Sequence, residues 1–353
     1  MRKKIREDLT TRRNRKIFRI APTAAKAGFH TAFAPLADNT KANHLLKTLK
    51  VGVDLMGNDN APQVLLDTLK ELSLPDNVEL VVIATPEFAG AVAPLHFVSA
   101  PEVIQMEEHP LLALRRKRNA SVNIGLRLLK EGKIDAFVSA GNTGALVTSA
   151  KMILSTLPGI LRPCLLALMP TKKNPVAVLD VGANVQVKAT HLVQFATIGA
   201  AFQKTRGIAN PSVGLLNIGS EALKGTSELR LAYSELQAKP HPFRFAGNIE
   251  GKTVFDGDVD VLVTDGFTGN VFLKTAEGIA SLILDQLHVS QNEFKRFQSL
   301  HYAQYPGALL AGVRGIVIKC HGYSTPKAFI SAILGAIDLA KEKFVQKLMN
   351  DLI

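Results

Sequence analysis

The chain has 353 residues, 47% of them hydrophobic, and a formal net charge of +12. This length is ample for a large core, and no apolar run of 18 residues predicts a transmembrane helix. The absence of Trp and the 6% aromatic content argue against a base-stacking surface for single-stranded nucleic acid. Cys164 and Cys320 lie in separate apolar runs, which is typical of buried thiols in a reducing cytoplasm. We therefore expect a cytoplasmic protein that does not bind nucleic acid.

The excess positive charge is concentrated at the N-terminus. Residues 1–50 hold 13 of the 42 basic residues and 3 of the 30 acidic residues, so the remaining chain is nearly neutral. This segment lacks periodicity and has few large apolar residues, so we predict a disordered basic leader over residues 1–49. Three explanations of the leader stay open: a targeting segment, a tail that binds anionic lipid or RNA, and an artefact of the assumed translation start.

Strands and helices are predicted to alternate after the leader. The predicted strands begin at residue 51 and then occupy 79–84, 96–99, 135–140, 164–169, 176–181, 213–218, 243–246, 259–264 and 315–319. The predicted helices occupy 62–72, 120–131, 145–156, 189–203, 226–237, 271–287 and 326–349. This alternation predicts an α/β fold of three layers, with a mostly parallel sheet and helices on both of its faces.

Five of the predicted strands end in Gly, Asn, Asp or Thr. These strand ends lie in the segments 51–59, 135–144, 175–184, 213–219 and 259–270. Backbone N–H groups, hydroxyls and amides at the start of a helix form a ready anion site, although each turn taken singly is equally an ordinary capped turn. Because ligands bind beyond the carboxyl ends of parallel strands, the five ends together predict one shared crevice.

Several common active-site motifs are absent from the sequence. There is no G-x-G-x-x-G after a strand, no P-loop, no G-x-S-x-G elbow, and no H-E-x-x-H or C-x-x-C metal motif. We therefore predict neither a cofactor nor a metal. The remaining possibility is an anion-binding site formed by backbone groups, amides, hydroxyls and a few lysines.

Nine short segments then carry a resemblance to a known family. They are Val53–Asp59, Leu114–Lys117, Val138–Leu146, Leu179–Val185, Gly214–Gly219, Lys224–Gly225, Gly247–Gly251, Asp265–Gly278 and Val317–Gly322. In this order they resemble the phosphate acyltransferase (PlsX) family of bacterial phospholipid synthesis. The resemblance covers about residues 50 to 345, and it makes residues 50–353 the expected catalytic domain.

The resemblance implies a fold, a reaction and partners. The fold is related to the phosphotransacetylases and the isocitrate dehydrogenase-like superfamily, usually as a homodimer. The reaction moves a fatty acyl group from acyl carrier protein to inorganic phosphate, and a downstream membrane glycerol-3-phosphate acyltransferase uses the acyl phosphate. Members of the family also associate with the membrane periphery.

The candidate site residues follow from the strand ends and from this reaction. Phosphate is already a nucleophile, so the protein needs only to position it and to stabilise the oxyanion. The expected catalytic residues are Lys188, Asp265, Thr268 and Asn270. The expected substrate-binding residues are Asn142, Thr143, Gly144, Asn184, Gly266 and Gly269. For Lys188 a solvated position in the first helical turn is the alternative role, and for Asp265 it is a turn cap.

A basic cluster is predicted to receive the acidic carrier protein. Arg115, Arg116 and Lys117 belong to the densest basic run in the body of the chain, although a solvated turn would have the same composition.

The chain departs from the family pattern in three places. Asn58 and Asn60 replace Gly and His, Gln186 stands at a commonly acidic position, and the segment 287–305 is shorter than usual, which weakens the expectation of membrane contact. Two rival functions remain: a phosphotransacetylase-like enzyme that uses coenzyme A thioesters, and a basic RNA- or membrane-binding protein with a vestigial site.

Overall fold

The computed structural model describes residues 48–286, 307–320 and 325–352, all of which belong to one compact unit. Residues 1–47 of the predicted leader and the shortened segment 287–305 fall outside the described residues, whereas Leu49, the last residue assigned to the leader, already begins the first strand. The strands are β1 Leu49–Asp54, β2 Val78–Ala84, β3 His96–Ser99, β4 Ala136–Ser139, β5 Cys164–Met169, β6 Val176–Leu179, β7 Ser212–Asn217, β8 Arg244–Glu250, β9 Val261–Val263, β10 Ala308–Ala311 and β11 Ile316–Lys319.

The helices cover both faces of the sheet. They are α1 Pro62–Glu71, α2 Ala89–Val92, α3 Pro110–Arg116, α4 Ser121–Lys130, α5 Thr143–Leu154, α6 Ala189–Thr205, α7 Ser227–Ala238, α8 Gly266–Gln286, α9 Pro326–Lys341 and α10 Phe344–Leu352. Side chains of α1, α6, α9 and α10 belong to the core on one face, and those of α4 and α5 to the core on the other. This confirms the predicted α/β fold with three layers.

The strands form one sheet in the order β3-β2-β1-β4-β11-β10-β5-β6-β9-β7-β8. Neighbouring strands are parallel except at three pairs in the middle, β11 with β10, β10 with β5, and β5 with β6. The three reversals make the strands from β6 to β8 run opposite to β1, β4 and β11. The sheet therefore consists of two parallel halves of opposite direction, which meet at β10 and β5.

This topology corrects the expectation that all five polar strand ends meet at one edge of the sheet. The carboxyl ends of β1 and β4 lie at one edge of the sheet, whereas those of β6, β7 and β9 lie at the other. The rule that ligands bind beyond the carboxyl ends of strands assumes that all strands point the same way. In this chain the five polar strand ends form two separate groups.

Two predicted boundaries are wrong for identifiable reasons. The helix predicted at 271–287 begins at Gly266, so the predicted turn at 265–270 is mostly helix. The long helix predicted at 326–349 is two helices, because Lys343 adopts a positive φ of 51° between them. Helix α3 and strand β10 were not predicted at all.

Candidate functional site

The turn after β6 is organised by the carboxylate of Asp180. This carboxylate accepts hydrogen bonds from the backbone N–H groups of Gly182, Ala183 and Asn184 at 3.2, 2.9 and 2.7 Å, and from the N–H of Leu165 at 3.0 Å. Burial raises the pKa of Asp180, and these hydrogen bonds oppose the rise. Backbone N–H groups in a turn of this kind can bind an anion. Here they already donate to the carboxylate of Asp180.

Asn184 has a structural role in the same turn. Its Nδ2 donates to the carbonyl oxygen of Pro163 at 2.8 Å and to Asp180 Oδ2 at 2.8 Å, and its own carbonyl accepts from the N–H of Gly266 at 2.8 Å. The residue therefore joins the turn after β6 to the start of α8. A contact between this amide nitrogen and substrate would compete with these two hydrogen bonds. The predicted contact with substrate stays a prediction.

Asp265 caps helix α8. Its two carboxylate oxygens accept from the backbone N–H and the hydroxyl of Thr268, both at 2.8 Å, and its carbonyl accepts from the N–H of Gly269 at 2.9 Å. This is the usual way in which a helix satisfies its first N–H groups. The N–H groups of Gly266 and Gly269, which we expected to bind an anion, are therefore engaged within the protein.

Asn270 stands out among the predicted amides of this region. Its side chain is exposed, faces Gly182, and has no hydrogen-bond partner among the described residues. A Cβ built on Gly182 would lie 3.7 Å from Asn270 Oδ1, and Gly182 adopts a φ of 137° that side chains rarely tolerate. The glycine thus leaves space beside an amide that is free to bind a ligand.

Lys188 is the N-cap residue of the helix that follows the turn after β6. It precedes α6, where its backbone N–H donates to Nδ1 of His191 at 3.0 Å, and its side chain is exposed. Burial lowers the pKa of His191, and the charges of Arg162, Lys188 and Lys151 lower it further. Lys188 thus belongs to a cluster of cations around His191, and its proposed contact with phosphate stays a prediction.

Asn142 caps α5 at the other group of strand ends. Its Oδ1 accepts from the N–H of Ala145 at 3.0 Å, and its Nδ2 donates to the carbonyls of Gln105, Met106 and Glu108 at 3.0–3.2 Å. The amide therefore fastens the loop before α3 to the start of α5. A role in binding substrate, as predicted, would compete with these four hydrogen bonds.

Gly144 is a packing residue. A Cβ built on it would lie 2.5 Å from Cγ of Pro110, the first residue of α3. Any larger residue would push α3 away from α5. The structure therefore supplies a packing reason for the glycine, and its predicted contact with substrate remains untested.

A cavity of about 780 Å³ lies between α8 and the middle of the sheet. Its walls are largely apolar and include Leu165, Ala167 and Met169 of β5 opposite Leu273, Ala276 and Ala280 of α8. Three of the predicted site residues line it, namely Thr143, Gly266 and Asn270. The cavity thus spans the seam of the sheet and connects the two groups of strand ends.

A buried polar cluster at the end of β4 and β11 was missed by the sequence reasoning. Lys319 ends β11, lines the cavity and is 7% exposed. On the other side of β4, at the end of β1, Asp54 is fully buried and accepts from Ser139 Oγ at 2.9 Å and from the N–H of Met56 at 3.0 Å. Burial raises the pKa of Asp54 to about 6, although the hydrogen bonds oppose the rise. A lysine that ends an otherwise apolar strand was the signal available in the sequence.

The predicted basic cluster lies at the end of α3. Arg115, Arg116 and Arg118 are exposed. Lys117 instead is half-buried, and its Nζ donates at 2.6 Å to both Glu108 Oε2 and the carbonyl of Val103. Three guanidinium groups, without the lysine, are therefore available to an acidic partner.

Neither cysteine has the properties of a nucleophile. Both thiols are buried, and burial raises the pKa of Cys320 to about 12 and that of Cys164 well above its usual value. Over residues 48–286, 307–320 and 325–352, no group of three His, Cys, Asp or Glu side chains is arranged to hold a metal ion.

Solved structures show the fold. A branched-chain phosphotransacylase from Enterococcus faecalis matches with a TM-score of 0.57 and 13% identity, covering 83% of this chain and 99% of that one. A phosphotransacetylase from Staphylococcus aureus matches with a TM-score of 0.56 and 16% identity, covering 84% and 96%. The sheet and its helices therefore have the architecture of the phosphotransacetylases.

Sequence comparisons show the family. The model of a family described as "Fatty acid synthesis protein" matches residues 49–347. Proteins called phosphate acyltransferase are 40% identical in Chlamydia pneumoniae and 41% identical in Staphylococcus epidermidis, covering 86% of this chain and 99% and 98% of theirs. A phosphate acyltransferase from Cellvibrio japonicus is 38% identical, with 86% and 98% covered. The chain therefore belongs to the phosphate acyltransferase family, and it is an acyltransferase of fatty acid and phospholipid synthesis.

Proposed function

We propose that this acyltransferase moves a fatty acyl group from acyl carrier protein to inorganic phosphate. The cavity under α8 is the observation that carries the proposal. Its apolar walls suit a hydrocarbon chain, and its volume of about 780 Å³ is in the range of ligand pockets. Three polar residues that line it, Thr143, Asn270 and Lys319, suit the phosphate and the thioester.

The chemistry requires no covalent intermediate with the protein. An oxygen of phosphate attacks the thioester carbonyl carbon, and the carbon–sulfur bond breaks to release the thiol and the acyl phosphate. Holding the two reactants together contributes about 7–11 kcal/mol to lowering the barrier. In this proposal the Asn270 amide and the Thr143 hydroxyl position the phosphate and the oxyanion, and Asp265 and Thr268 hold α8 in place.

The carrier protein is proposed to dock on α3. Arg115, Arg116 and Arg118 present positive charge there, and the neighbouring Leu111 and Leu112 are about half exposed. Charge of this kind steers an acidic partner and raises its association rate. Because α3 is fastened to α5 through Asn142 and packs against Gly144, a partner bound there would lie next to the cavity rim at Thr143.

The donor experiment separates the two enzymatic alternatives. We expect the full chain to form acyl phosphate from a long-chain acyl carrier protein with a rate that saturates in donor and in phosphate. Acetyl coenzyme A should give little product. Turnover of acetyl coenzyme A at a comparable rate would instead favour the phosphotransacetylase-like alternative. Without product from either donor, and with RNA or lipid binding confined to residues 1–49, the protein would not be an active enzyme.

A substitution at Asn270 tests the placement of the phosphate. We expect Asn270→Ala to lower turnover at least tenfold, because loss of one well-aimed donor costs about 3–4 kcal/mol in the transition state. The control is Asn210→Ala, an exposed amide in the loop before β7, which should keep wild-type turnover and the same circular dichroism spectrum. Near-normal turnover in Asn270→Ala would remove this residue from the site.

Charge reversal on α3 tests the docking surface. Arg115→Glu with Arg116→Glu should raise the KM for acyl carrier protein at least tenfold and leave the KM for a small acyl thioester unchanged. Lys239→Glu, at an exposed lysine immediately after α7, is the control. An equal rise for both donors would show that these arginines do not recognise the carrier.

The remaining assignments are also proposals with simple tests. We propose a homodimer, to be checked by sedimentation equilibrium, whose product passes to a glycerol-3-phosphate acyltransferase. Residues 1–49 are proposed to be dispensable to the domain 50–353, so deleting residues 1–46 should leave turnover intact. None of the helices in the described residues is long and apolar enough to cross a bilayer. Contact with the membrane periphery through the exposed apolar side chains of α8 is proposed, and co-sedimentation with anionic vesicles tests it.

A further inference from the structure

Lys319 occupies an unusual position for a lysine. It ends the buried strand β11, and its Nζ donates to the carbonyl of Ala140 at 3.3 Å and to the carbonyl of Cys320. Its side chain nevertheless lines the cavity. A buried lysine costs free energy unless it is paired, so such a residue in a cavity wall is commonly functional.

The charges around Lys319 leave it without a direct ion pair. Asp54 at the end of β1 and Asp59 in the following loop act from a distance and favour its charged form, while Lys274 of α8 opposes it. No carboxylate of the described residues lies within 4.0 Å of its Nζ. Burial is the largest influence and lowers the pKa of Lys319 to about 8. The ammonium group is therefore charged at neutral pH and gives up its proton more readily than an exposed lysine.

Acyl transfer to phosphate has a specific need for such a group. Phosphate is a weaker base than a thiolate, so the tetrahedral adduct of phosphate and thioester tends to expel phosphate and revert. The forward reaction gains when negative charge on the departing sulfur is neutralised. An acid whose pKa is close to that of the thiol, about 8.5, is well matched to this transfer.

We propose that Lys319 is the catalytic acid that protonates the departing sulfur. As the carbon–sulfur bond breaks, its electron pair goes to sulfur, and sulfur takes a proton from the Lys319 ammonium to leave as a neutral thiol. The neutral amine then recovers a proton from the attacking phosphate or from water. Asp54, held by Ser139 and Met56, favours the charged form of Lys319 from a distance. This inference rests on the proposed transfer from a thioester to phosphate.

The test varies the leaving group. Lys319→Gln should lower kcat/KM for an alkyl thioester of a long-chain fatty acid by ~10²–10⁴-fold, the usual contribution of a general acid. With an aryl thioester of the same acid, whose thiolate leaves without help, the loss should be below about tenfold. Lys133→Gln, an exposed lysine paired with Glu131, is the control and should match wild type with both donors.

The wild-type enzyme supplies a second readout that does not depend on the folding of a variant. With the alkyl donor, kcat/KM should fall as pH rises through about 8, because Lys319 loses its proton. With the aryl donor the fall should be absent. Lys319→Arg, which keeps the charge but does not give up its proton, should behave as Lys319→Gln does.

Specific outcomes would overturn the assignment. Equal losses for alkyl and aryl donors in Lys319→Gln, or a selective rise in the KM for phosphate, would show that Lys319 binds phosphate or supports the fold. Identical pH profiles for the two donors would also exclude the proton transfer. If wild-type enzyme formed no acyl phosphate from either donor, the proposed function itself would fail, which is a distinct result.

Discussion

The contact between α8 and the turn after β6 makes a measurable prediction about stability. A Cβ built on Gly269 would overlap the carbonyl oxygen of Asp180 and would lie 2.8 Å from Thr264 Cγ2. The neighbour is backbone, and the carboxylate of the same residue is anchored by four N–H groups, so it cannot move aside. Overpacking of this kind costs about 1–3 kcal/mol. Gly269→Ala should therefore lower the free energy of unfolding by about that amount.

Gly278 in the same helix is a matched control. No atom lies within 4 Å of a Cβ built there, so Gly278→Ala adds no clash. Replacing Gly by Ala inside a helix stabilises by roughly 0.5–1 kcal/mol, and we expect that gain here. Urea denaturation followed by circular dichroism compares the two variants with wild type at one pH and one temperature.

The same pair of variants connects stability to turnover. Any shift of α8 away from Asp180 moves Asn270, and a displacement of about 1 Å at a site can cost about 10²-fold in rate. Gly269→Ala should therefore lose turnover under conditions where it is still folded, whereas Gly278→Ala should keep it. If Gly269→Ala were as stable and as active as Gly278→Ala, α8 would not pack on the turn as described.

Three further predictions concern the cavity and the buried polar groups. Ala280→Phe places a ring in the cavity and should reduce activity more for long acyl chains than for short ones. The lost binding free energy should be about 0.8 kcal/mol for each methylene group that the ring excludes. Ser281→Phe, on the exposed side of α8, is the control and should not have this effect. The folded protein holds a proton on Asp54 up to a pKa of about 6, against 3.8 unfolded, so its free energy of unfolding should fall by about 3 kcal/mol as pH rises from about 4 to 6. Asp54→Asn should abolish that part of the decline in urea titrations, and an unchanged pH dependence would contradict the assigned burial. Asn142→Ala should speed amide hydrogen exchange at residues 105–108, and it should lower the free energy of unfolding by about 1 kcal/mol because a helix cap is lost. Unchanged exchange would contradict the role of Asn142 in holding the loop before α3.

Much of the fold is predictable because burial imposes a pattern on the sequence. The strands at 96–99 and 164–169 have the predicted bounds. The first begins and ends with the polar residues His96 and Ser99, and the second lies between Pro163 and Pro170. Strand β10 and helix α3 escaped prediction for opposite reasons. The four residues Ala308–Ala311 are too few to show a period, and two turns of α3 leave Leu111 and Leu112 exposed, so no apolar face marks the helix.

The site was less predictable because its residues bond to one another. Glycines at 266 and 269 look like parts of a turn, but their reason is the close approach of the backbones of Asn184 and Asp180. The spacing of Asp265 and Thr268 was a usable signal for a helix cap at this point. No local sequence pattern shows that the carboxylate of Asp180 accepts hydrogen bonds from the N–H groups of the turn that follows it. This arrangement depends on the burial of the carboxylate, which is set by the rest of the fold.

The environment of Lys319 is even less predictable from the sequence. Its distant neighbours include Ala140, whose carbonyl is 179 positions away in the chain. Whether a lysine at a strand end is solvated or buried is decided by such distant partners, and one sequence does not reveal them. The opposite direction of the strands from β6 to β8 is not predictable from the sequence either. It depends on how β10 pairs with β11 and β5, which are distant partners of this kind.

The central position of β10 and β11 has a consequence for biosynthesis. These strands join β4 to β5, yet they are translated after every other strand of the sheet. A nascent chain that has not reached residue 308 therefore consists of two half-sheets with open edges at β4 and β5, which invite wrong pairing. The cavity draws its walls from both halves, so the ability to bind an acyl chain should appear abruptly once β10 and β11 have been made. Truncation before residue 308 should therefore abolish activity and solubility together.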